Sequence, residues 1–170
     1  MFSAISAPLT LNHDGRTYPD FTVPMLREAG VPDDVVLVGV KARLTVAIDE
    51  RAESLRRSVL SPGVGQALEY QEAQTQAAAA LEGEASAATA GRYPMLAATV
   101  GIDIDPETGA PATDILGVAR SVQAARDIWL AIGAAIRGTR LGAKAAVEAA
   151  SSIEGAQAAY DAVVWPTLPD

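Results

Sequence analysis

The sequence contains no cysteine, one histidine, and only 5% aromatic residues. The missing cysteines exclude disulfides, thiolate nucleophiles and thiolate metal sites. One histidine without cysteine does not supply the usual zinc ligands, so no metal and no other cofactor is expected. Bases are the scarcer charge: 13 Lys and Arg stand against 21 Asp and Glu, a formal charge of −8. They occur singly or in pairs such as Arg56–Arg57. No cluster is dense enough to release many counterions, which argues against binding nucleic acid through phosphates. A long apolar run is missing too. The most apolar stretch, Ile128 to Ile136, ends at Arg137 and is far short of the roughly twenty residues a membrane span needs. The first five residues, Met1-Phe2-Ser3-Ala4-Ile5, lack the basic and apolar regions of a signal peptide. The expectation is a chain with no membrane contact, in the cytoplasm after synthesis.

What is present is helical material. A length of 170 residues fits one domain, or one with a small appendage. The chain is 49% hydrophobic, and alanine dominates that share. Alanine lets helices approach closely but buries little area per residue. Thin helix–helix layers are therefore expected, with stability that draws on assembly. Charge is unevenly placed: residues 61–112 hold seven acids and one base, and residues 113–150 hold five bases and three acids. Two such stretches invite pairing as neighbouring helices.

The first 31 residues differ from the rest. Leu9-Thr10-Leu11 and Phe21-Thr22-Val23 are β-prone, and Asp14-Gly15 between them is a strong hairpin signal. Strands are predicted near 8–12 and 16–23, then one helical turn from Pro24 to Ala29 ended by Gly30. Pro32-Asp33-Asp34 reads as a helix start, acids in the first turn suiting the dipole. Apolar or small residues at 35, 38, 42, 45, 48, 52, 55 and 59 predict one helical stripe, with Gly39 a potential break. Ser61 as N-cap and Pro62 at the first helical position predict a second helix over 62–82. Its inward residues are predicted as Val64, Ala67, Leu68, Gln71, Thr75, Ala78 and Leu81. Loops are expected over 83–92 and 101–112, around a short helix opened by Tyr93-Pro94. Thr113 with Asp114 caps the longest predicted helix, 113–149. Its stripe is Ile115, Val118, Val122, Ala125, Trp129, Ile132, Ile136, Thr139, Ala143 and Val147, and Gly133, Gly138 and Gly142 predict a kink. Ser151-Ser152 starts a last helix to about 163, stopped by Trp165-Pro166.

Few motifs invite chemistry. Asp103, Asp105 and Glu107 alternate as in a calcium loop, but Thr108 stands where that loop needs glycine, and Asp114 where it needs glutamate. A β-turn over Pro106-Glu107-Thr108-Gly109 is the simpler reading. Gly63-Val64-Gly65-Gln66 lacks the lysine of a phosphate loop and reads as a helix start. His13 sits in the predicted turn, and no nucleophile-elbow motif accompanies it. Gly138-Thr139-Arg140-Leu141-Gly142, flanked by bases, predicts a close helix crossing rather than a membrane dimer motif. Trp129 and Trp165 read as core anchors, and an exposed Trp165 would instead mark a partner site. The Ala-rich run Gln76 to Leu81 reads as a helix-packing face. No catalytic, cofactor or metal residue is identified, and the chain is read as not an enzyme.

One resemblance runs through about residues 50–166. Arg56-Arg57, Ser61-Pro62-Gly63-Val64-Gly65-Gln66-Ala67 and Tyr70 resemble a run that joins two helices in small tailed-phage proteins of the tail-fibre and baseplate region. An acidic Ala-rich spacer follows, then Tyr93 to Gly101, then Trp129 to Lys144, then Trp165-Pro166, in the order of those proteins. The resemblance implies a virion component of the tail, present in the host cytoplasm during assembly. Such a component works through protein–protein contacts with fibre or baseplate subunits, as a homo-oligomer or in multiple copies per tail. The alternatives are a tail-fibre assembly chaperone not retained in the virion, and a small helical ligand-binding protein or enzyme with a polar pocket between helices. The expected fold is mainly α, an antiparallel helical hairpin or bundle (32–170) preceded by a small β-hairpin docking segment (1–31). Strand addition is the physical route for that segment. Leu9, Leu11, Tyr18, Phe21, Val23 and Trp165 are the partner-binding residues expected.

Overall fold

The computed structural model describes residues 2–59 and 64–168. Two strands, β1 (Leu9–His13) and β2 (Arg16–Phe21), lead into α1 (Val23–Glu28), α2 (Asp33–Val59) and α3 (Val64–Glu82). A short α4 (Pro94–Ala97), a two-residue pair β3 (Ile104–Asp105) and β4 (Ala110–Pro111), the long α5 (Ile115–Ala149) and α6 (Ile153–Asp161) complete the order. The fold is mainly α with an N-terminal hairpin. Ser61, Pro62 and Gly63, on which the second helix's cap and the phosphate reading rest, lie outside the described residues.

The chain divides into two compact units, Met1–Ser58 with Ala134–Asp170, and Val59–Gly133. In the first, α2 and the end of α5 run antiparallel: the Lys41 ammonium donates to the Glu148 carbonyl, while Asp49 accepts from Arg140 and Lys144. The core joins Val36, Val40, Leu44 and Ile48 of α2 to Ala143 and Val147 of α5, Ile153 and Ala156 of α6, and Leu26 of α1. Leu9, Leu11, Tyr18 and Val23 of the hairpin and its exit belong to that same core. The Gln157 side chain ties in the N-terminus, accepting from the Ala4 amide at 2.8 Å and donating to the Phe2 carbonyl at 3.2 Å.

In the second unit Ala77 and Ala80 of α3 pack with Tyr93, Leu96, Ala112, Ile115, Val118 and Ala119. The Gln76 side-chain Oε1 accepts from the Met95 amide at 3.0 Å, an otherwise orphaned donor of the first turn of α4. Gln76, Ala77 and Ala80 are buried, so the Ala-rich run is a packing face.

Several sequence expectations change in register. On α2 the buried row is 36, 40, 44, 48, 52 and 55. Val38 is 69% exposed, and the first half of the predicted stripe is thus displaced. The hairpin is the reason: a Cβ on Gly39 would lie 2.9 Å from Leu11 Cδ1, so strand β1 docks where α2 has no side chain. Gly39 leaves α2 unbroken from Asp33 to Val59. On α3 the predicted inward residues Ala67, Leu68, Gln71, Thr75, Ala78 and Leu81 are all exposed, and Ala73, Gln76, Ala77 and Ala80 turn inward instead. Close packing selected alanines over the bulkier leucines. α5 runs as one helix across Gly133, Gly138 and Gly142. Among the described residues nothing lies within 4 Å of a Cβ added at Gly138 or Gly142, and none makes the expected close crossing there. The loop over 101–112 carries the unpredicted pair β3–β4, Ile104 opposite Pro111 and Asp105 opposite Ala110.

Candidate interaction surfaces

The hairpin is built by its turn. Asp14 (φ 48°) and Gly15 (φ 72°) both hold positive φ, the pairing a two-residue type I′ turn demands. The register follows: His13 opposite Arg16, Asn12 opposite Thr17, Leu11 opposite Tyr18, then a bulge before Leu9 opposite Phe21. Leu9, Leu11, Tyr18 and Val23 are 0–7% exposed. Phe21 is half-buried, edge-on to Tyr18 with ring centroids 5.5 Å apart. Trp165 is half-buried against the same core, next to an exposed Val164. The structure thus brings these six residues together inside one unit of this chain. What the hairpin leaves at the surface is the alternate set, Thr10 and Asn12 on β1. His13 lies 3.3 Å from the Asp14 carboxylate at the turn.

The acidic loop is committed to a base. Arg120 holds Asp105 through one guanidinium edge, Nε donating to Oδ1 at 3.0 Å and Nη2 to Oδ2 at 2.5 Å. The Arg120 guanidinium, followed by the Glu107 amide, holds the Asp105 carboxyl below the usual carboxylate range. Asp103 accepts from the Thr99 hydroxyl at 2.7 Å. The Gly109 amide closes the turn onto the Asp105 carbonyl at 2.8 Å, with Gly109 at φ 68°. A Cβ on Gly117 would stand 2.9 Å from Asp105 Oδ2 and from Ala112 Cβ. The pattern that resembled a calcium loop is therefore a β-turn clamped onto α5. Among the described residues no group of three or more His, Asp or Glu is placed to hold a metal.

Two further charge clusters hold the first unit. Arg27 bridges Asp33 (2.8 Å) and Glu154 (2.9 Å). Hydrogen bonding from Arg27 lowers Asp33; Glu154 is lowered first by its own backbone amide and then by Arg27. Asp49 is lowered by Lys144 first and Arg140 second, each at 2.9 Å. The acidic and basic stretches thus meet through Asp105 and Glu107 with Arg120. Among the described residues none of Glu69, Glu72, Glu82 and Glu84 is in an ion pair.

The second unit carries an open groove of about 850 Å³, lined by Gln71, Gln74, Thr75, Ala78, Leu81, Glu82, Gln123 and Arg126. The displaced α3 stripe forms one wall of it. Beyond the groove α5 changes character. Ile128, Trp129, Leu130, Ala131 and Ile132 are consecutive and apolar, and none is buried: Ile128 is 57% and Leu130 50% exposed. Five successive residues cover the whole helix circumference. Among the described residues no helix is long and apolar enough to cross a membrane. No protein-family model, curated protein or solved structure matches the chain.

Proposed function

We propose that the chain is a structural or accessory component of a bacteriophage tail, in the fibre or baseplate region, acting through contacts with other tail subunits. The observation that carries the interaction role is the 128–132 segment of α5. A helix apolar all round is normally buried, and runs of exposed apolar residues are kept where function uses them. Among the described residues nothing buries it, so a partner surface is its natural cover. The tail assignment is supported by the resemblance across residues 50–166. The groove lined by Gln71, Gln74, Gln123 and Arg126 favours a second reading, a helical protein that binds a small polar ligand.

Mass spectrometry of purified virions separates retained component from assembly chaperone: the chain is expected in the particle at a defined copy number. The double variant Ile128→Glu, Leu130→Glu is expected to fold normally and to be lost from particles. Full incorporation of that variant would defeat the reading.

A further inference from the structure

The two edges of the N-terminal hairpin are not equivalent. In a hairpin closed by a two-residue turn, the pair flanking the turn exchanges hydrogen bonds and the next pair does not. With Asp14-Gly15 as the turn and His13 opposite Arg16, Thr10 and Asn12 turn their backbone groups outward from β1. Thr17 and Pro19 turn theirs outward from β2. The β2 edge is blunted in three ways that natural sheets use against pairing. Pro19 has no N–H, the bulge places Pro19 and Asp20 against Thr10, and Asp20 sits at φ 57°. Within Leu9–His13 the β1 edge has none of these, Pro8 lying just before it. Thr10 and Asn12 are exposed, and among the described residues their backbone groups make no backbone hydrogen bond outside the hairpin.

We propose that the β1 edge is the docking site for a second copy of this chain, through antiparallel β1-to-β1 pairing across a two-fold axis. The register is set by the strand itself. With Leu11 opposite Leu11, the outward N–H and C=O of Thr10 meet the C=O and N–H of Asn12 in the other copy, and the reverse. The inward row Leu9, Leu11 then continues into its symmetry mate. Leu9–His13 carries no acidic or Lys/Arg side chain, so this pairing sets no like charges opposite each other. That matters for a chain of formal charge −8. The contact is isologous and closes at two copies. It rests on the hairpin alone, and neither the tail reading nor the α5 segment enters it.

Sedimentation of the purified full-length chain over a wide concentration range is the test, with amide exchange at Thr10 and Asn12 followed in parallel. A monomer–dimer equilibrium is expected, with those two amides protected only where dimer forms. Thr10→Pro removes one outward N–H from each copy and is expected to weaken dimerisation by about tenfold or more. Thr17→Pro, on the blunted edge, leaves dimerisation unchanged. A chain monomeric at every concentration overturns the pairing and leaves the edge to an extended segment of a different protein. A dimer whose Thr10 and Asn12 amides exchange freely, or one weakened equally by Thr17→Pro, overturns it as well.

Discussion

Asp105 and Gly39 show what a single residue does in this chain. Asp105 has 6% of its side chain exposed and faces an Arg120 that is 26% exposed, so each leaves the other stranded if removed. Its folded pKa lies below the ordinary carboxylate value. The stability it contributes is therefore complete above about pH 4, its unfolded value, and is lost as pH falls through the lower folded value. Asp105→Asn is expected to lower Tm at neutral pH and to converge with the wild type on acidification. Equal melting temperatures at neutral pH would contradict the clamp. Gly39 tests the docking of β1. Gly39→Ala gains about 1 kcal/mol of helix propensity and loses a similar amount as Leu11 shifts, for little net change. Gly39→Val, a larger intrusion on a buried leucine, is expected to cost about 1–3 kcal/mol in chemical denaturation. A neutral valine variant would show that the strand does not press on α2 there.

Among the elements, α5 and β1 each present something the described residues leave uncovered. On α5, Ile128→Glu with Leu130→Glu is expected to change unfolding free energy by less than about 0.5 kcal/mol, as for substitutions at exposed sites. A large loss would mean that the segment is packed within the chain. On β1, the proposed pairing places four intermolecular backbone hydrogen bonds along the uncovered edge, about 0.5–1.5 kcal/mol each, and Thr10→Pro removes two of them. Element boundaries were legible because their signals are local: Asp14-Gly15, Asp33-Asp34 and the Ser152 cap, whose hydroxyl accepts from the Gly155 amide at 3.0 Å. Which face of α2 and α3 turns inward was not legible. Alanine, valine and leucine surround both helices, and the choice came from a strand docking at Gly39 and from the alanines of α3 packing with Tyr93 and Leu96.

For the whole molecule, the two cores have no described residue in common, one built around Leu44 and one around Leu96. Leu44→Ala and Leu96→Ala each create a cavity and are expected to cost about 2–5 kcal/mol. Because the two leucines belong to clusters with no described residue in common, the double variant should lose the sum to within about 0.5 kcal/mol. A coupling well beyond that in equilibrium unfolding would show a common core.

The sequence by itself determined the helical class, the hairpin and its turn, the absence of cysteine chemistry, and the acidic charge, because each depends on composition or on neighbours along the chain. The tertiary structure alone decided that Leu9, Leu11, Tyr18 and Val23 are core side chains, that Asp105 answers to Arg120, and that residues 128–132 of α5 stay at the surface. Those outcomes depend on which surfaces meet across long stretches of chain. In a sequence this rich in alanine many faces are nearly equivalent in hydrophobicity, and only steric fit chooses among them.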